Sequence, residues 1–134
     1  MPVAPCPGVP RANTQQTLGN LGESLAREEL VSSGYAILAT RYRTRFGEID
    51  IVAMEGGTIV FVEVKARQSA RYGTAAETIG PRKRRRIAAM ALDYLARTNQ
   101  LTTPCRFDVV AIDGIGTPQQ RLEVYKHAFV VDGR

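Results

Sequence analysis

Two β-rich runs, residues 48–54 and 58–65, flank a pair of adjacent glycines, Gly56 and Gly57. Two glycines between two strand-forming runs are typical of a β-hairpin, because a two-residue turn needs backbone angles that glycine adopts without strain. Such a turn fixes which residues face each other across the hairpin. These two strands therefore constrain the fold more than any other feature of the chain, since the remaining elements must pack around them.

Acidic residues meet across the predicted hairpin, whose register places Asp50 opposite Glu63 and Glu48 opposite Lys65. Opposed residues share a sheet face, with Cβ atoms about 4.5–5.5 Å apart. Alternation along the strand puts Glu63 and Lys65 on that same face. Because two opposed carboxylates repel each other, we expect a divalent cation between them or a shared proton that raises one pKa. Hard oxygen ligands on a rigid sheet suit Mg²⁺ or Mn²⁺.

Two other arrangements of the hairpin would change this expectation. A one-residue bulge would turn Asp50 to the other face of the sheet. Alternatively, the acidic face is simply exposed, with Glu48 paired to Lys65 and Asp50 paired to an arginine. The opposite face is predicted to be core because its residues are all apolar: Ile49, Ile51, Ala53, Val60, Val62 and Val64.

Helical and strand patterns surround the hairpin. We predict one helix over residues 15–33, a second beginning at Pro81, and further strands over residues 35–42, 106–113 and 121–131. This order is typical of an α/β domain with a central mixed β-sheet flanked by helices. A chain of 134 residues fits one such domain. Residues 1–16 hold four of the seven prolines, which predicts a disordered N-terminal tail before a domain at residues 17–134.

Composition and motifs exclude several classes of protein. No apolar run reaches the ~18 residues of a membrane-spanning helix, and the N-terminus lacks the apolar core of a signal peptide. Cys6 and Cys105 cannot build a disulfide framework, and His127 alone cannot build a zinc site that needs several histidines. The motifs GxxxxGK[ST] and GxGxxG do not occur, so no nucleotide cofactor is expected. We expect a cytoplasmic protein with no membrane partner.

Positive charge is concentrated in one segment. Residues 65–86 hold eight basic residues and one acidic residue, a local net charge of +7 in a chain whose total is +5. Cations in the first turn of a helix oppose its dipole, so we predict that this segment contacts the phosphates of a nucleic acid. A merely solvated helix start is the alternative. The predicted contact residues are Arg67, Arg71, Arg82, Lys83, Arg84, Arg85 and Arg86.

The arrangement of Asp50, a hairpin and Glu63-Val64-Lys65 resembles the PD-(D/E)xK signature of restriction-endonuclease-like nucleases. The chain is more closely similar to the YraN-like proteins of that group. This resemblance rests on five blocks in order: GNLGESLA at 19–26, GEIDIV at 47–52, FVEVKAR at 61–67, RFDVV at 106–110 and HAF at 127–129. It departs from the patterns at Ile49, which replaces the proline of the signature, and at Arg41, where the family has asparagine.

The resemblance implies a restriction-endonuclease-like fold, similar to that of archaeal Holliday-junction resolvases, and by the same analogy a homodimer. It implies that Asp50 and Glu63 bind Mg²⁺ or Mn²⁺, that the Val64 carbonyl is a further ligand, and that Lys65 is the catalytic lysine. Glu23 corresponds to a helix glutamate near the metal, although as a residue it could equally be a charge at the edge of a packed helix.

The function that follows is a metal-dependent endonuclease acting on nucleic acid, with structure-selective cleavage of DNA that leaves a 5′-phosphate. One alternative is a non-catalytic nucleic-acid-binding module with a vestigial nuclease site. Another is a protein-interaction domain whose basic surface meets an acidic partner. Dependence on a divalent metal separates the first two, and salt dependence of binding to DNA separates the third.

Overall fold

The computed structural model describes residues 14–68 and 79–129. The element order agrees with the sequence prediction, and the predicted tail at residues 1–16 falls largely outside the described residues. Strand β5 ends six residues earlier than the predicted strand 121–131, and the other bounds shift by one or two residues. The elements are α1 (Thr14–Ser32), β1 (Ala36–Thr44), β2 (Gly47–Glu55), β3 (Thr58–Ala66), α2 (Pro81–Arg97), β4 (Cys105–Asp113) and β5 (Arg121–Tyr125).

The strands form one five-stranded sheet in the order β1-β2-β3-β4-β5. Strands β3 and β4 are parallel, while the other neighbouring pairs are antiparallel. Helix α2 lies in the connection between the two parallel strands, which need a crossover rather than a tight turn. The prediction of an α/β domain with a mixed sheet is therefore confirmed. No helix in the described part of the chain is long and apolar enough to cross a membrane.

The hairpin of β2 and β3 has the predicted register. Met54 faces Ile59, and the pairing continues to Ile51 and Val62, where the ladder ends. Gly56 takes φ +60 in the turn, a left-handed conformation that favours glycine. Asp50 and Glu63 therefore lie immediately beyond the last ladder pair instead of forming one.

Both faces of the sheet are buried, whereas the pattern of the hairpin predicted that only one face belongs to the core. On one face, α2 places Ile87, Met90 and Tyr94 against a cluster that includes Val52 and Phe61. On the other, α1 contributes to a second cluster with members Ala26, Leu30, Ile51, Ala53, Val60, Val62, Val110 and Ile112. The error arose because opposed acids at one end of the hairpin made that whole face look polar.

The alternation of side chains is interrupted at Asp50. Ile49 packs in the α2 cluster together with Val52, while Ile51 packs in the α1 cluster. The prediction that Ile49 shares a face with Ile51 is therefore wrong. The break in alternation lies at the end of the β2–β3 ladder. Strand β2 is therefore irregular at Asp50, the first acidic residue of the site.

Asp108 in β4 is fully buried and is held by hydrogen bonds from three directions. Its carboxylate accepts from the Tyr35 hydroxyl at 2.9 Å, from Arg106 Nε at 3.0 Å and from the backbone N–H of His127 at 2.9 Å. A buried carboxylate is tolerated only when it is paired and hydrogen-bonded in this way. Asp108 and His127 therefore have structural roles that tie β4 to the segments before β1 and after β5.

Candidate active site

An open cleft of about 570 Å³ lies where the hairpin ladder ends. Its walls come from α1, from the ends of β2 and β3, and from the first turn of α2. The five residues predicted to bind metal or to act in catalysis all line it. We call it the carboxylate cleft, and its lining residues are Leu18, Gly19, Glu23, Asp50, Glu63, Val64, Lys65, Ala66, Gln68 and Lys83.

Asp50 is half-buried at the base of the carboxylate cleft. Its Oδ2 accepts a hydrogen bond from the backbone N–H of Val64 at 2.8 Å. Burial, and then the charge and hydrogen bonding of Glu63, raise the pKa of Asp50 to about 8, while the Val64 N–H favours the charged form. The two carboxylates thus lie together, and either a proton or a cation would relieve their repulsion.

Val64 lies on β3 beyond the last pair with β2, and on its other side it faces Val110 of β4. Within a strand, the N–H and C=O of one residue point to the same side. Because the Val64 N–H points to Asp50, its carbonyl faces the same gap between β2 and β3. The Val64 carbonyl therefore lies on the side of β3 next to Asp50, and all three residues line one cleft.

Glu63 is paired with Lys83, one of the residues predicted to contact phosphates. Lys83, in the first turn of α2, forms an ion pair with Glu63 Oε2, and the Glu63 side chain is only 13% exposed. Helix α2 begins at Pro81, so this turn is directed at the end of β3. No spacing in the sequence indicates the contact, because it depends on how α2 lies across the sheet.

Lys65 is half-buried in the same cleft. Burial lowers its pKa, and the neighbouring positive charge of Lys83 lowers it further, while Glu63 acts in the opposite direction. Glu48, its predicted partner, is exposed, and its Oε2 instead lies 3.4 Å from Nη2 of Arg43. The alternative in which Glu48 pairs with Lys65 on an exposed face is therefore wrong. The lining of the cleft holds two lysines and three carboxylates, of which Asp50 and Glu63 lie together.

Glu23 reaches the edge of the cleft from α1 and is held there by Arg41. Arg41 Nε lies 2.8 Å from Glu23 Oε2, and its guanidinium also contacts Asn20. Gly22 explains how α1 approaches so closely, because a Cβ at that residue would lie only 3.0 Å from the Ala66 Cβ. Arg41 thus fixes the orientation of Glu23, the predicted helix glutamate.

The donor set around Asp50 suits a hard divalent cation. Within residues 14–68 and 79–129, no three side chains of His, Cys, Asp or Glu are grouped to hold a metal ion. Glu23 therefore does not join Asp50 and Glu63 as a third ligand in this arrangement. Two carboxylates and one backbone carbonyl still provide only oxygen donors, which is the chemistry that Mg²⁺ and Mn²⁺ prefer while they retain bound water.

The exposed part of the predicted basic surface lies at the start of α2. Arg82, Arg85 and Arg86 are exposed there. The first turn of α2 has no acidic residue and no side-chain cap, so the positive end of the helix dipole adds to the arginine charges. This end of α2 adjoins the carboxylate cleft through Lys83 and is suited to contact phosphates.

Two other predicted contact residues, Arg84 and Arg67, make contacts within the fold, and a third lies outside the described residues. Arg84 is half-buried: its Nε donates to the Ile79 carbonyl at 2.9 Å, and its guanidinium lies 5.6 Å from the centre of the Phe129 ring. Arg67 is half-buried at the end of β3, where its backbone N–H donates to the Ile112 carbonyl. Arg71 is the one outside the described residues.

Comparison with known proteins finds similarity over most of the chain. The profile of Uncharacterised protein family UPF0102 matches residues 22–112, which include Glu23, the whole β2–β3 hairpin and α2. A UPF0102 protein from Symbiobacterium thermophilum is 46% identical over 112 residues, covering 84% of this chain and 95% of the relative. A UPF0102 protein from Syntrophus aciditrophicus is 47% identical over 111 residues, covering 83% and 87%. One from Anaeromyxobacter dehalogenans is 43% identical over 120 residues, covering 90% and 89%.

Proposed function

This chain belongs to Uncharacterised protein family UPF0102, as its YraN-like motifs indicated, and on that premise we propose that it is a metal-dependent endonuclease with a restriction-endonuclease-like fold. One observation carries the proposal. The carboxylates of Asp50 and Glu63 lie together in an open cleft with Lys65 beside them, next to the basic start of α2. Two carboxylates that lie close together repel each other and lower the stability of the fold. A function that requires a bound cation explains why both are present.

In this proposal, Asp50, Glu63 and the Val64 carbonyl hold Mg²⁺ or Mn²⁺. When bound, such an ion neutralises charge on a phosphoryl oxygen and lowers the pKa of bound water. The Val64 N–H, which donates to Asp50 Oδ2 at 2.8 Å, keeps this carboxylate directed into the cleft. The end of the ladder supports this role, because it frees backbone groups of β3 to act as ligands.

The two lysines supply positive charge to the substrate. Lys65 is the predicted catalytic lysine, and its ammonium group would bind a nonbridging oxygen of the scissile phosphate and orient the attacking water. Lys83 adds a second positive charge from α2 and is paired with Glu63 in the structure. Glu23, held by Arg41, is a positioning residue at the rim of the cleft.

The substrate class follows from charge and shape. Exposed arginines at the start of α2 would bind the sugar-phosphate backbone, an interaction that carries no sequence information. We therefore propose a structure-selective substrate, such as branched or partly single-stranded DNA, rather than a base sequence. The motifs resemble those of junction resolvases, and branched DNA is proposed by analogy with those proteins.

A cleavage assay tests the proposal. Labelled four-way junction, flap, single-stranded and duplex DNA are incubated with Mg²⁺, Mn²⁺ or EDTA. We expect cleavage only with metal, and none with Asp50→Ala or Lys65→Ala. Glu123→Ala is the control, because Glu123 is an exposed acid on β5 that pairs with Arg121 and lines neither the cleft nor its neighbouring pocket. Binding without cleavage in every metal, or cleavage by Asp50→Ala at the wild-type rate, would refute the proposal.

A non-catalytic nucleic-acid-binding module is a second candidate, and the Lys83–Glu63 ion pair favours it. In that case the lysine ammonium, rather than a metal ion, compensates one of the two carboxylates. The two candidates differ in their response to metal. A vestigial site predicts that Mg²⁺ leaves the thermal stability of the protein unchanged, whereas the nuclease site predicts stabilisation that depends on Asp50.

A further inference from the structure

A second pocket, of about 220 Å³, adjoins the carboxylate cleft. Glu63 and Lys83 line both spaces, so the two adjoin at the start of α2. Its floor is apolar, because Ile49, Ile87 and Met90 are all buried. We call it the Phe46 pocket, since Phe46 and Arg86 lie at its rim. The volume is below the ~300 Å³ at which pockets for drug-sized ligands begin, which leaves room for one planar ring system.

Phe46 lies in the turn between β1 and β2, and the residue is 41% exposed. The guanidinium of Arg45 lies 4.8 Å from the centre of the Phe46 ring. An exposed aromatic side chain beside arginines is a poor contribution to the core but a good stacking surface for a ring held near phosphates.

Gly47 keeps the side of the Phe46 pocket that is nearest to α2 clear. It has φ +135, a conformation that favours glycine. A Cβ at this residue would come within 3.5 Å of Met90 Sδ and 4.0 Å of Arg86 Cδ. Gly47 therefore adds no side chain of its own to the space between the turn and the Met90 and Arg86 side chains of α2.

We propose that the Phe46 pocket binds one unpaired nucleobase of the nucleic-acid strand whose phosphate lies in the carboxylate cleft. Three features point to this ligand: an aromatic surface, an apolar floor of single-ring dimensions, and cationic groups for the flanking phosphates. Lys83 and Arg86 line the pocket together with the carboxylates of Glu48 and Glu63, and Arg45 lies beside the Phe46 ring. A base in a duplex has both faces stacked and its pairing edge occupied, so it cannot enter. The inference rests on the proposed function for the identity of the ligand, and it defines the substrate as unpaired at this nucleotide.

The test measures binding without cleavage, in EDTA, by fluorescence anisotropy. Three labelled DNA ligands of equal duplex length are compared: a blunt duplex, a duplex with a short single-stranded overhang, and the same overhang built from abasic spacers. For the wild type, we expect the overhang with bases to bind about 5- to 150-fold more tightly than the abasic overhang, the range for loss of one base stacked on an aromatic side chain. The two overhang ligands carry the same charge, so contacts with phosphates contribute equally to both affinities and do not change their ratio.

Phe46→Ala should abolish the preference for the overhang with bases and leave the affinity for the blunt duplex unchanged. Phe46→Trp should retain the preference, because it keeps a stacking surface. Leu101→Ala removes a similarly exposed apolar side chain elsewhere and should behave as the wild type. The inference is overturned if the wild type shows no preference for bases, if Phe46→Ala keeps it, or if that variant weakens binding to all three ligands equally. Failure to cleave in any metal would refute the nuclease alone, since these measurements need no cleavage.

Discussion

Replacement of Asp50 by asparagine should stabilise the protein in the absence of divalent metal. Asparagine is nearly the same size, and its Oδ1 can still accept the Val64 N–H. What it removes is a carboxyl group whose pKa is raised to about 8 by burial and by Glu63. The folded state of the wild type must either keep a proton on this group or accept a buried charge, and the variant has neither requirement.

The sign and size of the effect follow from proton linkage. Below about pH 4, Asp50 is protonated in both the folded and the unfolded chain, so its raised pKa costs no stability. Between about pH 4 and pH 8, the unfolded chain releases a proton that the folded chain retains, and the free energy of unfolding falls as pH rises. A shift from 3.8 to about 8 sets an upper limit of roughly 6 kcal/mol. Water in the open cleft screens the group, so we expect about half of that limit, or ~3 kcal/mol.

Urea unfolding in EDTA at several pH values between about 5 and 8 measures this difference. The gap in unfolding free energy between Asp50→Asn and the wild type should widen as pH rises. Mg²⁺ at ten times its Kd should add about 1.4 kcal/mol to the wild type and nothing to the variant. Glu48→Gln controls for the loss of one negative charge from β2. A gap that does not change with pH, or equal stabilisation of both proteins by Mg²⁺, would refute the reasoning.

Two further predictions concern the basic helix and the buried network. Replacing Arg82, Arg85 and Arg86 together with alanine should weaken DNA binding and reduce the slope of log affinity against log salt by about 2–3. A salt titration in EDTA measures this slope, and an unchanged slope would show that α2 is not part of the binding surface. Asp108→Ala should lower the unfolding free energy by about 3–5 kcal/mol, because Arg106 and the Tyr35 hydroxyl lose a fully buried partner; urea unfolding checks this, and a loss below about 1 kcal/mol would contradict it.

Local sequence patterns are sufficient to predict the hairpin. The glycine pair determines a turn, the turn determines the register, and the register brings the two acidic residues to the same end of the hairpin. The buried stripe of α2 is equally readable, because Ile87, Met90 and Tyr94 recur at helical spacing. Each inference concerns residues that are close in the chain or are joined by a tight turn.

Local sequence patterns do not predict contacts between elements that are distant in the chain. Lys83 meets Glu63 because α2 crosses back over the sheet, and Arg41 meets Glu23 because β1 passes beside α1. A basic residue on the first turn of a helix has the same sequence signature whether it faces solvent or a carboxylate. Arg84 illustrates the consequence: it belongs to the charge run in sequence but packs on Phe129 in the fold.

The break in β2 explains why the site lies where it does. A regular ladder through Asp50 and Glu63 would use the backbone groups of Val64 for pairing and would hold the two carboxylates on a flat, covered sheet face. Instead the ladder stops at Ile51 and Val62, and Ile49 turns into the α2 cluster. The Val64 N–H is then free to bind Asp50, and its carbonyl faces the cleft. The local irregularity that the hairpin pattern could not predict therefore supplies the third oxygen donor on which the proposed metal site depends.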